Sequence, residues 1–207
     1  MKFIKQFIAV LALLFATQAL AQSMDEKGLS MLSPPQPTHS GNKIEVLEFF
    51  FYGCSHCFKL HPYVSAWEKK MPKDVELTFV PAIFNPAWEA MARTFYALEA
   101  IGQRKQLHDE LFKAWGNGVE LVDEASATDF VSKHGVDARK FHDAYNSFSM
   151  QSQVTRAKQM GQIYGIRGTP TLIVDGKYVI SGIGPEETMK MLDSVLAKAR
   201  KEHTAKH

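Results

Sequence analysis

The 207-residue sequence predicts an α/β fold: a β-α-β unit, a long helical insertion, and a closing β-hairpin with a helix. Three observations predict it. Residues 44–52 form a nearly unbroken apolar run, the make-up of a central strand buried on both faces, and a helical pattern follows directly. Residues 85–164 carry their apolar side chains at helical spacing throughout. Two short apolar runs, 171–174 and 178–181, then flank Asp175-Gly176, a strong hairpin signal, ahead of a last amphipathic segment.

Taken in order, residues 1–21 have the three parts of a secretory signal peptide. Lys2 and Lys5 form the charged start, residues 7–15 the apolar middle, and Ala19-Leu20-Ala21 the small-x-small cleavage signal. The apolar run is too short to span a membrane as a helix. Cleavage after Ala21 leaves Gln22 first and removes two of the 24 basic residues, so the mature chain balances its 22 acids. With no net charge and no basic stripe, no nucleic-acid partner is expected. Residues 22–43 form a polar, proline-bearing lead-in with an edge strand expected near residues 28–32. That segment is too short for a separate dimerisation domain, and the remaining length suits a single-domain monomer.

Residues 44–84 read as strand, helix and strand. Alternation places Ile44, Val46, Glu48 and Phe50 on one face of the first strand, which puts the Glu48 carboxyl in or near the core. A buried carboxylate without a partner is costly and its pKa rises, so Glu48 is a candidate proton acceptor beneath the cysteines. The competing reading is an edge-strand glutamate reaching solvent. Leu60, Val64, Trp67 and Met71 mark the helix, which Pro62 should kink and Pro72-Lys73-Asp74 should end. Residues 75–80 alternate as the next strand.

The insertion, residues 85–164, has one stripe of Trp88, Met91, Phe95 and Leu98, and another of Leu107, Leu111 and Trp115. Shorter helices are expected over 129–134, 138–148 and 154–164. Such stripes are core faces. Residues 165–201 supply a loop, the hairpin, and a helix opening at Pro185 with Glu186 and Glu187 in its first turn. Residues 202–207 form a tail.

The only two cysteines, Cys54 and Cys57, stand two residues apart where the first strand gives way to its helix. Cys-x-x-Cys at that junction reads as a thioredoxin-like redox site. Unpaired N–H groups and the positive end of the helix dipole favour a thiolate on Cys54, and the thiolate is the nucleophile of disulfide exchange. A purely structural disulfide would constrain the unfolded chain little across so short a loop. A zinc site would need about four ligands, and His56 and His61 in this spacing match no usual pattern.

The order strand, Cys54-Ser55-His56-Cys57, helix, strand, helical insertion, then Gly168-Thr169-Pro170 before a hairpin and helix, resembles the DsbA family. These are secreted bacterial thiol:disulfide oxidoreductases with a thioredoxin fold and an inserted helical subdomain. The resemblance spans essentially the whole mature chain. It implies a periplasmic protein that donates its Cys54–Cys57 disulfide to exported proteins with free thiols, with no cofactor beyond that pair. A quinone-coupled membrane partner of the DsbB type would reoxidise it. By the same resemblance His56 stabilises the Cys54 thiolate, Glu48 lies upstream of the pair, and Pro170 follows a cis bond. Thr169 would offer backbone hydrogen bonds to an extended substrate. Two positions depart from the pattern: Ser55-His56 where Pro-His is common, and His61 where the family often has an acidic residue. Rival readings are a disulfide isomerase of the DsbC type and a secreted binding protein with a structural disulfide. Since both Cys54 at a helix start and His56 favour the thiolate, the reduced form is expected to be the more stable one.

Overall fold

The computed structural model describes residues 27–205, so the expected signal peptide and its cleavage site lie outside the described residues. Five strands, β1 (Leu29–Met31), β2 (Ile44–Phe50), β3 (Val75–Pro81), β4 (Thr171–Val174) and β5 (Tyr178–Ser181), form one mixed sheet. Its order is β1-β5-β4-β2-β3. β2 runs parallel to β3 and antiparallel to β4, and the β4–β5 hairpin is extended by β1 as an antiparallel edge.

Every residue of β2 is buried, as its continuous apolar run requires. Its two faces feed different clusters. Ile44, Val46 and Phe50 join the larger core with Cys57, Leu60 and Val64 of α1 (Ser55–Glu68). Phe95 of α2 (Pro86–Ala100), Leu111 of α3 (Arg104–Gly116) and Leu196 of α7 (Pro185–Thr204) complete that side. Leu47 and Phe49 face the opposite way, onto Tyr164, Ile166 and Ala157 of α6 (Phe148–Ile163). α4 (Glu124–Lys133) and α5 (Ala138–Tyr145) pack within the helical segment through Phe130, Val131 and Phe141.

The helix bounds differ from the expected ones for local reasons. α1 runs through Pro62 as one element and stops at Glu68, with Lys69 as its C-cap, short of Pro72. α4 begins at Glu124, five residues early, because Asp123 caps it and reciprocates with Ser126. Ser147 likewise caps α6, so one helix starts at Phe148 and the preceding one ends at Tyr145. At the hairpin, Asp175 and Gly176 both have positive φ, 53° and 62°, the requirement of a tight turn matched to strand twist. A Cβ on Gly176 would lie 2.0 Å from the Gln36 carbonyl oxygen, since the lead-in is strapped across this turn by Gln36 N–H donating to the Gly176 carbonyl.

Candidate active site

β2 delivers the chain to the cysteines and α1 carries them away. Cys54 occupies the N-cap of α1 in extended conformation, and the first turn of that helix holds no acidic residue. The sulfur of Cys54 is therefore the group available to the helix's unpaired N–H donors. The turn before it is close-packed. A Cβ at Gly53 would lie 2.4 Å from Phe51 and 2.5 Å from the Trp115 indole, so only glycine lets α3 approach this near. Trp88 of α2 stacks on Phe51 with ring centroids 3.7 Å apart, closing the aromatic wall beside the site.

The two cysteines are unbonded in this structure and differ sharply. Cys54 is half-buried and its thiol is lowered to about 5. The largest cause is the hydrogen bond donated by the Cys57 thiol, opposed by burial and assisted by the Thr169 side chain and the Cys57 and His56 backbone N–H groups. In the neutral form the Cys54 thiol donates instead to the Thr169 carbonyl, at 3.2 Å. Cys57 is fully buried, and burial first, then the adjoining Cys54, pushes its thiol far up. One sulfur is held as an anion and the other as its proton donor.

The Thr169–Pro170 peptide is cis, as expected, and the fold sets Thr169 against Cys54. Pro170, His56 and Leu60 line a groove of about 830 Å³ that opens beside the pair. The His56 side chain is exposed, and its recorded action on Cys54 is through its backbone N–H; among the described residues its ring makes no hydrogen bond.

Glu48 is buried, as the alternation of β2 requires, and one carboxyl oxygen has no partner. Burial pushes its pKa up to about 8, with a smaller contribution from the charge of Glu68 in the last turn of α1. Neither cysteine is among the charges acting on it. His61 turns away toward α3, where its Nε2 lies 2.7 Å from Asp109 Oδ1 and its ring stacks on Phe112.

Sequence reasoning missed the neighbour of His61. His108 is buried among Phe50, Phe79, Phe95 and Phe112, with its Nδ1 2.7 Å from the Tyr52 hydroxyl and its Nε2 unpartnered. Burial, then His61 and Arg104, holds its pKa well below the usual histidine range. The available signal was a histidine next to the Leu107–Leu111 stripe. Nothing in the linear pattern pairs it with Tyr52, 56 positions earlier.

Known proteins agree with this geometry. Residues 45–193 match the DSBA-like thioredoxin domain. A thiol:disulfide interchange protein DsbA of Pseudomonas aeruginosa is 38% identical over 173 residues, covering 82% of each chain. That of Azotobacter vinelandii is 34% identical over 197 residues, 90% of this chain and 92% of the relative. The crystal structure of Pseudomonas aeruginosa DsbA superposes with a TM-score of 0.82 at 36% identity, over 87% of this chain and 95% of that one. A Xylella fastidiosa oxidoreductase DsbA gives 0.79 at 28% identity, over 84% and 96%. With its strand-to-helix cysteine pair, its cis-proline loop and its helical insertion, the chain belongs to the family of DSBA-like thioredoxin domains.

Proposed function

We propose that this thiol:disulfide oxidoreductase donates its Cys54–Cys57 disulfide to exported proteins as they fold in the periplasm. The observation that carries the reading is the opposition of the two thiols, Cys54 lowered to about 5 beside a Cys57 driven the other way. A substrate thiolate attacks the Cys54 sulfur of the oxidised pair. The Cys54–Cys57 bond breaks, and Cys57 leaves as a thiolate that takes up a proton. A second substrate thiolate then attacks the substrate sulfur of the mixed disulfide and expels Cys54, a good leaving group because its anion is stabilised. The substrate loses two electrons and gains a disulfide; the enzyme gains them and leaves as the dithiol.

In this reading Glu48 exchanges the Cys57 proton. A carboxyl lifted to about 8 is poised for transfer near neutral pH, and no other buried carboxyl on the α1 face of β2 competes for the part. His56 and Cys57 present the N–H donors that hold the Cys54 anion, and Thr169 with Pro170 forms the edge on which an extended substrate lies. A membrane partner of the DsbB type would return the pair to the disulfide, with no further cofactor in the chain. Residues 1–21 would direct export and be cleaved off after Ala21. The oxidised protein should convert reduced ribonuclease to its disulfide form, one disulfide per enzyme molecule, and Cys54→Ser should abolish it. Acceleration of scrambled ribonuclease refolding beyond the rate of ribonuclease oxidation would favour the isomerase reading instead.

A further inference from the structure

The groove beside Cys54 does not end at the cis-proline loop. It runs from His56, Lys59 and Arg167 past Ile180 to Lys27 and Ile183, and a second, smaller hollow of about 370 Å³ continues it along α7 to Lys190. The two hollows share Lys27, Ile183 and Glu187 and form one furrow. Its floor is apolar, through Leu60, Ile166, Pro170 and Ile183, while its rim is cationic.

Lys27, Lys59, Arg167 and Lys190 are all exposed, and among the described residues none of the four makes an ion pair. Among the described residues the only carboxylate lining the furrow is Glu187, and it is occupied locally, accepting the Gly184 N–H at 3.2 Å to cap α7. Other described lysines and arginines are unpaired too, Lys69, Lys70 and Lys73 among them, but Lys27, Lys59, Arg167 and Lys190 line one continuous furrow whose single carboxylate is engaged locally. Four unpaired cations along one furrow concentrate positive potential on a path that starts at His56 and at Thr169, whose carbonyl accepts from the Cys54 thiol. Such a path raises the encounter rate of anionic partners and discriminates against cationic ones.

We infer that the furrow selects cysteine-bearing segments with acidic residues several positions from the cysteine, laid in extended form from Cys54 toward α7. This rests on the disulfide-donor reading and adds to it a substrate class. Apolar side chains alternate onto the floor while aspartate or glutamate meets the rim, as extended segments place successive side chains on opposite sides.

The test uses dithiol peptides of one sequence with two aspartates, two asparagines or two lysines placed four to eight residues from the reacting cysteine. Each is oxidised by the full disulfide form of the mature protein, and loss of thiols is followed at low salt and at about 0.5 M salt. The aspartate peptide should react about tenfold faster than the lysine peptide at low salt, with the asparagine peptide between, and the ratio should approach one in high salt. The variant Lys27→Gln/Arg167→Gln/Lys190→Gln should lose most of that ratio. An equal loss of charge at the far end of α1, Lys69→Gln/Lys70→Gln/Lys73→Gln, should keep it. Equal aspartate and lysine rates with brisk oxidation of all three peptides would overturn the furrow alone. So would a ratio that survives the groove variant, or one that both variants lower alike. Oxidation of none of the peptides by the wild-type protein would overturn the donor reading and the furrow with it.

Discussion

At Cys54 one sulfur takes the place that a serine or aspartate side chain holds at other helix starts, accepting N–H bonds as an anion. The thiolate absorbance near 240 nm should therefore rise with a midpoint near pH 5 in the reduced protein, and a midpoint near that of a free thiol would refute the assignment. Glu48 is the opposite case, a carboxyl held neutral by burial. Its folded pKa, about 8, lies above its unfolded value of 4.5, so its contribution to stability is full below pH 4.5 and is lost as pH rises through 8. Glu48→Gln, which does not titrate, should gain on the wild type over that window, by about 3 kcal/mol at pH 7. The same variant should slow mixed-disulfide resolution. Parallel stability curves in urea melts from pH 4.5 to pH 8 would show that the carboxyl is not held neutral. Cys54, Cys57 and the burial of Glu48 were legible because spacing and alternation place them. The sequence named His56 as a residue that favours the Cys54 thiolate but not the atom involved, and the backbone N–H of His56 is one of the donors that lower it. The pairing of His108 with Tyr52 depends on how α3 meets β2, which no local pattern encodes.

The elements were read well where one periodicity ran long and poorly where capping decided the boundary. β2, the Asp175-Gly176 hairpin and the start of α7 at Pro185 stand where expected. α4 and α6 start earlier because Asp123 and Ser147 end the preceding loops with single hydrogen-bond acceptors, a short-range chemistry that apolar stripes do not report. Asp123→Ala should accordingly lower stability in denaturant melts, with disulfide-exchange rates unchanged because α4 lies within the helical segment and none of the groups acting on Cys54 or Cys57 belongs to it. A change in exchange rate larger than the change in stability would tie α4 to the site.

Across the whole molecule the sheet, the helical segment and the cis-proline loop converge on one short turn, and redox state and stability become linked there. Cys54 has a depressed pKa, so its stabilisation of the reduced form is present above the unfolded thiol value and is lost as pH falls through about 5. Below the usual thiol pKa, Cys57 is protonated in both the folded and the unfolded protein and adds no slope there. Three pH units would contribute about 4 kcal/mol, and about half that once solvent screening of a half-exposed sulfur is included. Closing a loop of four residues favours the oxidised form by about 2 kcal/mol at every pH. The reduced form should thus gain on the oxidised one by about 2 kcal/mol between pH 5 and pH 8 in paired urea melts, where a simple staple would give a constant difference.

The thiolate at Cys54 is what makes the pair a donor, and its equilibrium with glutathione at pH 7 reads that property directly. A donor should release its disulfide readily, with a reduction potential above about −200 mV, and Cys54→Ser should remove the exchange. A potential below about −300 mV, the range of disulfides that resist glutathione, would mark Cys54–Cys57 as a structural cross-link and contradict the donor function.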